Sequence, residues 1–174
     1  MPRARLLCED DSIIGQTFYV MDYVPGRVFA GLEMPDCSAP DVEAMFASMA
    51  EGLGALHAVD YEAAGLADLG RPEGYVRRQV EGWAKRYRAA RTDDVPDNES
   101  LMDWLAAELP PEQGRVAIIH NDYKFDNVVL RPADLSIIGV LDWEMATLGD
   151  PLMDLGCSLA YWVQADDPRP LQEL

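Results

Sequence analysis

Apolar side chains recur at helical spacing in several stretches of the chain, and these stretches predict helices. The first is expected to start at Ser38–Asp41, which has the spacing of a capping box. Its apolar stripe consists of Val42, Met45, Phe46, Met49, Leu53 and Leu56. Gly52 and Gly54 lie on that helix, where they either weaken it or let another element pack closely. Further helices are expected at about 72–91 and about 100–109, the earlier one with an apolar side of Tyr75, Val76, Val80, Trp83 and Tyr87.

Short runs of β-branched and apolar residues between turn signals predict the strands. One strand is expected in Thr17–Val24, which runs into a Pro-Gly turn. Another is expected at Arg115–Ile119. Val128–Leu130 and Ser136–Leu141 are predicted to pair as a hairpin joined across Arg131–Asp134.

A final helix is expected to begin near Pro151 or Asp154 and to carry Leu155, Leu159 and Trp162. The order of elements is therefore strand, helices, short strands and helix, which indicates an α+β fold with a mostly helical body. A chain of 174 residues is long enough to bury a hydrophobic core within one domain.

The acidic composition excludes some classes of partner. With 31 acidic and 14 basic residues, the formal net charge is −17. Nucleic acids and anionic membrane surfaces need a basic partner surface, so we expect neither. The same charge would attract a cationic substrate.

Nothing in the sequence predicts a membrane span or an exported protein. No run of 18 apolar residues occurs, and the stretch after the basic start Met1–Arg5 is interrupted by Cys8, Glu9 and Asp10, unlike a signal peptide. The three cysteines are scattered and form no CxxC pair, which argues against a zinc site or a disulfide framework. A cytoplasmic location with reduced thiols is the expectation.

Basic residues are concentrated in the second predicted helix, which contains Arg77, Arg78, Lys85, Arg86, Arg88 and Arg91. They form either a solvated helix face or a cationic wall for an anionic substrate group. The sequence leaves both interpretations open.

The densest polar cluster is His120–Asn127, which lies between two predicted strands and is called the polar loop below. Asp142 follows at the end of the next strand. Phosphoryl transfer needs oxygen ligands for Mg²⁺, a carboxylate that accepts the proton of the attacking hydroxyl, and a cation beside the transferred group. The polar loop and Asp142 contain each of these groups.

The loop matches the protein-kinase pattern H-x-D-x-K-x-x-N at His120, Asp122, Lys124 and Asn127. Asp142 matches the aspartate of the kinase D-F-G motif, with Trp143-Glu144 in place of Phe-Gly. These segments, with the sequence Gly-Asp-Pro-x-x-Asp-Leu at 149–155, resemble the aminoglycoside phosphotransferase family. The resemblance covers nearly the whole chain.

The resemblance implies an ATP-dependent kinase that phosphorylates a hydroxyl of a small molecule. Asp122 would be the catalytic base, and Lys124 would contact the phosphoryl group. Asn127 and Asp142 would bind Mg²⁺. His120 and Asp154 would have structural roles, the latter by bracing the loop.

The segment Tyr19–Gly26 resembles the hinge between kinase lobes. By that resemblance, the backbone of Asp22 and Val24 would bond adenine, and Met21 would pack on it. Residues 1–26 would then be the end of the N-terminal lobe and the hinge, and 27–174 an incomplete C-terminal lobe. No lysine precedes Lys85, so the strand lysine that grips the phosphates is missing from this sequence.

The segment Gly74–Tyr87 resembles the branch whose kinase-like domains are fused to acyl-CoA dehydrogenases. Aminoglycoside-like compounds, acyl-CoA-like compounds and other hydroxylated metabolites are therefore all candidate acceptors. Two other functions stay open at this point. One is a non-catalytic fragment or binding module with the kinase fold, and the other is a metal-dependent hydrolase that uses the acidic cluster.

Overall fold

The computed structural model of the chain describes residues 1–29, 37–111, 114–162 and 166–169. These residues pack as two compact units that alternate along the chain. The first unit comprises 1–55, 122–145 and 157–174, and the second comprises 56–121 and 146–156. Within the described part of the chain, no helix is long and apolar enough to cross a membrane.

The first unit begins with an antiparallel strand pair, β1 (Ala4–Cys8) and β2 (Phe18–Met21). The short helix α1 (Asp11–Ile14) connects them; Asp10 caps its start, and Gly15 ends it in a left-handed conformation with φ 87°. The strand predicted at 17–24 is thus confirmed in its central part. β1 was not predicted, because its residues are mostly exposed and show no alternation of apolar and polar positions.

Helix α2 (Ala39–His57) confirms the predicted capping box. The Asp41 carboxylate accepts from Ser38 N–H at 2.8 Å, and Ser38 Oγ accepts from Asp41 N–H at 3.4 Å. Met45, Met49 and Leu53 of the predicted stripe are buried.

The predicted hairpin is confirmed, and it belongs to the first unit. Strands β4 (Val128–Leu130) and β5 (Ile137–Val140) pair antiparallel, with Val128 opposite Val140. The hairpin and helix α2 share one hydrophobic core, whose buried members are Phe29, Met45, Met49, Leu53, Tyr123, Val128 and Leu130. This core fixes the position of the segment between Tyr123 and Val128.

The second unit contains helices α3 (Tyr75–Ala90) and α4 (Glu99–Ala107), close to their predicted positions. It also holds the antiparallel pair β3 (Ala117–Ile119) and β6 (Thr147–Gly149), with Ile118 opposite Leu148. β6 was not predicted, since Thr147, Leu148 and Gly149 contain a single large apolar side chain, unlike the apolar runs of the other short strands.

The apolar side predicted for α3 is wrong at Trp83, whose surface is 59% exposed. Arg86 lies over the Trp83 ring at 4.1 Å, so a cation–π contact replaces core packing there. The basic residues of this helix are exposed. Arg77 pairs with Glu81 at 4.0 Å, and Arg88 Nε donates to Glu99 at 2.9 Å. These partners favour a solvated helix face over a cationic wall.

Helix α5 (Pro151–Ala160) begins at the first of the two predicted positions. Asp150 Oδ1 accepts from Leu152 N–H at 2.9 Å, which caps the helix start. The helix carries Leu155 and Leu159, as predicted, and these two side chains are 40% and 47% exposed. The helices and small two-stranded sheets confirm the α+β class. The predicted lobe boundary between residues 26 and 27 stays a prediction.

Candidate functional site

The start of the polar loop is held by a buried carboxylate. Asp154, on α5, is fully buried, and its two oxygens accept from the backbone N–H groups of His120 and Asn121 at 2.8 and 2.7 Å. The His57 Nε2 atom lies 3.0 Å from the same carboxylate. Backbone amides bonded to a buried acceptor leave the chain little freedom. This arrangement supports the expected bracing role of Asp154.

The Asp122 carboxylate has a distinct partner on each oxygen. Oδ2 accepts from Asn127 Nδ2 at 2.7 Å and lies 3.2 Å from Lys124 Nζ. Oδ1 accepts from the Tyr161 hydroxyl at 3.2 Å. Asn127 Nδ2 also donates to the Asp122 backbone carbonyl at 2.9 Å. The Asp122 side chain is 19% exposed, so the carboxylate is oriented by its neighbours yet still accessible.

Lys124 lies close to an aromatic ring and to a second carboxylate. Its Nζ atom is 4.9 Å from the Tyr161 ring centre and 3.9 Å from Asp126 Oδ2. Burial lowers the pKa of Lys124, but the hydrogen bond and charge of Asp122, helped by Tyr161 and Asp126, outweigh it and raise the pKa overall. Lys124 is therefore a cation at neutral pH.

Asn127 and Asp142 lie at the same end of the hairpin. Leu141 N–H donates to Asn127 C=O at 2.8 Å, which extends the β4–β5 pairing by one step beyond Val128 and Val140. Asp142 follows directly, with a left-handed φ of 59°, a conformation that Asp tolerates better than most residues. Asp142 is exposed, so its carboxylate is not desolvated.

This pair of residues suits a hard cation. The Asn127 amide nitrogen makes both of the bonds to Asp122, which leaves the amide oxygen as the donor for a metal. An amide oxygen and a carboxylate are ligands that Mg²⁺ accepts, and Mg²⁺ commonly completes its shell with phosphate oxygens and water. Among the described residues, no group of three or more His, Cys, Asp or Glu side chains could hold a metal. The hydrolase alternative, which needs more such ligands, gains no support.

The hinge-like segment is tied to the strands on both sides of it. Asp22 N–H donates to Arg3 C=O at 2.9 Å, and the Asp22 carboxylate accepts two bonds from Arg5, at 2.6 and 2.9 Å. Met21 is 43% exposed. Beyond the hinge, Arg27 and Leu130 exchange two backbone bonds of 2.8 Å. The segment thus leads directly onto β4, three residues beyond Asn127.

A glycine makes that approach feasible. A Cβ atom at Gly26 would lie 2.4 Å from Val129 Cγ1 and 2.7 Å from the Leu130 carbonyl oxygen. Both distances are shorter than van der Waals contact, so only glycine lets the chain pass β4 at this distance. The glycine of the predicted Pro-Gly turn is therefore required by packing.

The model of the phosphotransferase enzyme family matches residues 1–174. The chain belongs to this family. A mouse relative, acyl-CoA dehydrogenase family member 10, is 40% identical over 169 residues. The match covers 97% of this chain but only 16% of that protein. The resemblance to the branch that carries acyl-CoA dehydrogenase domains is thereby confirmed.

Solved structures of the family have the same fold. A Ralstonia eutropha protein assigned to the aminoglycoside phosphotransferases shares 40% identity and a TM-score of 0.83, over 95% of this chain and 51% of that one. An aminoglycoside phosphotransferase from Streptomyces rimosus, in complex with ADP and streptomycin, is 20% identical with a TM-score of 0.62, over 99% of this chain and 64% of that one. The chain thus spans about half of the first of these kinase-like proteins and less than two thirds of the second.

Tyr161 is the residue at this site that the sequence reasoning missed. It lies just beyond α5, seven positions after Asp154, and no family motif points to it. Ser158, between them, donates its hydroxyl to the Tyr123 carbonyl at 2.8 Å. The helical spacing of Asp154, Ser158 and Tyr161 was the available signal, because residues at such spacing share one helix face.

Proposed function

We propose that the protein transfers the γ-phosphate of ATP to a hydroxyl of a small molecule. The observation that carries this proposal is the arrangement around Asp122, where an oriented, partly exposed carboxylate lies 3.2 Å from a lysine ammonium and 2.7 Å from the amide of Asn127. Family membership supports a phosphotransferase, and the nucleotide and the acceptor are the parts proposed here.

Asp122 would orient the acceptor hydroxyl and receive its proton as the hydroxyl oxygen bonds to the γ-phosphorus. The bond from that phosphorus to the β,γ-bridging oxygen would break, with its electron pair leaving on ADP. The Asp122 carboxylate is oriented by the Asn127 amide, which donates to Oδ2 at 2.7 Å, so it needs little reorganisation for that role. Lys124, which stays charged, would turn from Asp122 toward the transferred phosphoryl group and offset its negative charge. Asn127 would hold Asp122 in position during the reaction through its two bonds, one to the Asp122 carboxylate and one to the Asp122 backbone carbonyl.

Asn127 and Asp142 are the proposed ligands of Mg²⁺, which would neutralise the phosphate oxygens of the bound nucleotide. The hinge would hold the adenine, with the Asp22 carbonyl and the Val24 N–H as its bonding groups and Met21 against the ring. The Asp22 N–H is already bonded to Arg3, which is consistent with the carbonyl being the group offered to adenine.

Two classes of compound are proposed as the acceptor. The net charge of −17 favours a cationic compound such as an aminoglycoside, the kind of ligand present in the Streptomyces rimosus complex. The name of the mouse relative makes a hydroxylated acyl-CoA the other class to test. A panel of both classes would decide between them.

The proposal is tested on the full protein that the gene encodes. Calorimetry should detect ATP binding that requires Mg²⁺ and is lost in Asp142→Ala. Turnover with an accepted substrate should fall by about 10²–10⁴-fold in Asp122→Asn, because the proposed base is removed. ATP binding should be retained, because Asp122 is not one of the proposed nucleotide or metal ligands.

Matched controls lie close by in the sequence. Glu144→Ala removes an exposed carboxylate two residues after Asp142 and should leave ATP binding intact. Asp126→Asn removes a loop carboxylate whose side chain is 49% exposed, and its turnover should stay within about threefold of the wild type. Full turnover by Asp122→Asn would overturn the base assignment. ATP binding without turnover on any acceptor would instead favour the non-catalytic binding module.

A further inference from the structure

The Tyr161 hydroxyl bonds to Asp122, the carboxylate that would receive the acceptor hydroxyl in the proposed reaction. It donates to Oδ1 at 3.2 Å, within the range of about 2.6–3.2 Å over which a base can abstract a proton. Asn127 and Lys124 contact the other oxygen, Oδ2. Among these three groups, Tyr161 presents the same functional group as the proposed substrate. Its hydroxyl is thus a resident analogue of the acceptor.

The bond between the Tyr161 hydroxyl and Asp122 is weak and exposed enough to be displaced. A strong hydrogen bond between a hydroxyl and a carboxylate is about 2.5–2.7 Å long, whereas the one from Tyr161 measures 3.2 Å. Tyr161 is 48% exposed and lies in a turn after α5, where its N–H reaches the Ser158 carbonyl at 3.2 Å. An acceptor that brings further contacts of its own can therefore replace it without disturbing a buried network, whereas a single water would gain only this one bond.

Tyr161 is itself a poor acceptor for phosphate. Burial, and then the negative charge of Asp122, raise the pKa of its phenol above the ordinary value. The phenol oxygen thus stays protonated and is a weak nucleophile. The ring also lies 4.9 Å from Lys124 Nζ, which links Tyr161 to the cation as well as to the carboxylate.

We propose that the Tyr161 hydroxyl holds the acceptor's place on Asp122 and keeps water off this carboxylate until the acceptor arrives. The inference rests on the proposed function, since it assigns acceptor specificity at that same site. Water bonded to Asp122 would be a competing nucleophile. Its oxygen would bond to the γ-phosphorus, and the bond from that phosphorus to the β,γ-bridging oxygen would break, with the electron pair leaving on ADP. The proton released would pass to Asp122 and then to solvent.

The decisive variant is Tyr161→Phe, which keeps the ring near Lys124 and removes only the hydroxyl. With Mg²⁺–ATP as the sole substrate, we expect acceptor-independent ADP release to rise by about fivefold or more, the effect of one ordinary hydrogen bond on a rate. ATP affinity measured by calorimetry should stay within about twofold, because the hydroxyl is not a nucleotide ligand.

Tyr87→Phe is the matched control. It also loses a tyrosine hydroxyl with a protein partner, the Pro96 carbonyl at 2.6 Å, but it lies in the second unit. Its acceptor-independent ADP release should equal that of the wild type. Tyr161→Ala provides a rescue test: 4-methylphenol, which carries the lost hydroxyl, should lower its ATP hydrolysis and leave the wild-type rate unchanged.

The outcomes separate the two proposals. If Tyr161→Phe binds ATP normally and hydrolyses it no faster than the wild type, the guarding role is wrong and the kinase proposal stands. A mass increase that maps a phosphoryl group to Tyr161 would make it an acceptor and would also overturn the guarding role. If the wild type binds no ATP in the presence of Mg²⁺, the proposed function fails and this inference fails with it.

Discussion

Two aspartates of similar appearance in the sequence have opposite surroundings in the structure. Asp154 is fully buried and accepts from two backbone amides, with His57 Nε2 3.0 Å away. Asp122 is partly exposed, and its neighbours include the Lys124 ammonium and the Tyr161 hydroxyl. A buried carboxylate with fixed partners holds the backbone in place, whereas an accessible one can exchange partners and protons. The two residues therefore suit structural and chemical roles respectively.

At the residue scale, the pKa of Tyr161 should lie above that of an ordinary tyrosine, which is about 10. Burial, followed by the charge of Asp122, raises the pKa of this phenol. Because the pKa is higher in the folded state, Tyr161 contributes to the free energy of unfolding fully at pH values below its unfolded pKa. This contribution is lost as the pH rises through its folded pKa. Asp122→Asn removes the second cause, so the pKa of Tyr161 should fall in that variant.

The measurement is a pH titration of tyrosinate absorbance for the wild type and for Asp122→Asn. Each is compared with the same protein carrying Tyr161→Phe in addition, and the difference between the two curves is the titration of Tyr161. Tyr23, which is 85% exposed, supplies the control through Tyr23→Phe. An unchanged Tyr161 titration in Asp122→Asn would show that the hydroxyl and the carboxylate are not paired in solution.

At the scale of the element, helix α2 has two glycines in different surroundings. A Cβ atom at Gly52 would lie 2.5 Å from the Tyr123 hydroxyl, which donates to the Met49 carbonyl at 3.1 Å. A Cβ atom at Gly54 would meet nothing within 4 Å. Close packing thus explains Gly52, and it fixes Tyr123 one residue from Asp122. Nothing in the structure explains Gly54.

Gly52→Ala should therefore destabilise the protein by about 1–3 kcal/mol through overpacking against Tyr123. Gly54→Ala is the matched control on the same helix, and it should stabilise by about 0.5–1 kcal/mol because alanine is the better helix former. Urea unfolding of the two variants would give both values. Equal effects of the two substitutions would mean that α2 does not approach Tyr123 as closely as described.

At the scale of the whole molecule, charge is the dominant feature. A net charge of −17 on 174 residues makes the folded chain repel itself, and the same field would attract cationic acceptors. The polar loop counters this locally, because Lys124 lies against Asp122 and Asp126. A polyanion such as ATP would meet this local cation within an otherwise repulsive field, which is a reason to expect that its binding depends on Mg²⁺.

Salt should therefore stabilise the protein. Raising the ionic strength from about 0.01 M to about 0.15 M shortens the Debye length from about 30 Å to about 8 Å and screens the repulsion. We expect a gain of about 1 kcal/mol, or about 2–4 °C in Tm for a chain of this size. Calorimetric melting would measure it, and the gain should shrink in Glu62→Gln/Asp68→Asn, which removes two exposed negative charges. A Tm that falls with added salt would contradict this prediction.

The sequence by itself determined the features that depend on near neighbours. The capping box at Ser38 and Asp41, the buried stripe of α2, the β4–β5 hairpin and the linear order of the polar loop were all readable, because short-range sterics and hydrogen bonds specify them. The α+β class followed from the order of the elements, and the family from the resemblance of the polar loop and of the segment around Asp142; both are confirmed. The roles of Asp122, Lys124, Asn127 and Asp142 stay predictions, as do those of Met21, Asp22 and Val24.

Only the tertiary structure decided which surfaces meet. β1 and β6 are strands because each has a partner strand. Trp83 lies at the surface with Arg86 over its ring, and Gly52 is required because Tyr123 lies against it. Asp122 and Tyr161 are 39 residues apart in the chain and 3.2 Å apart in space. Contacts of that kind depend on how helices and loops pack, which is a property of the whole fold and not of any local pattern.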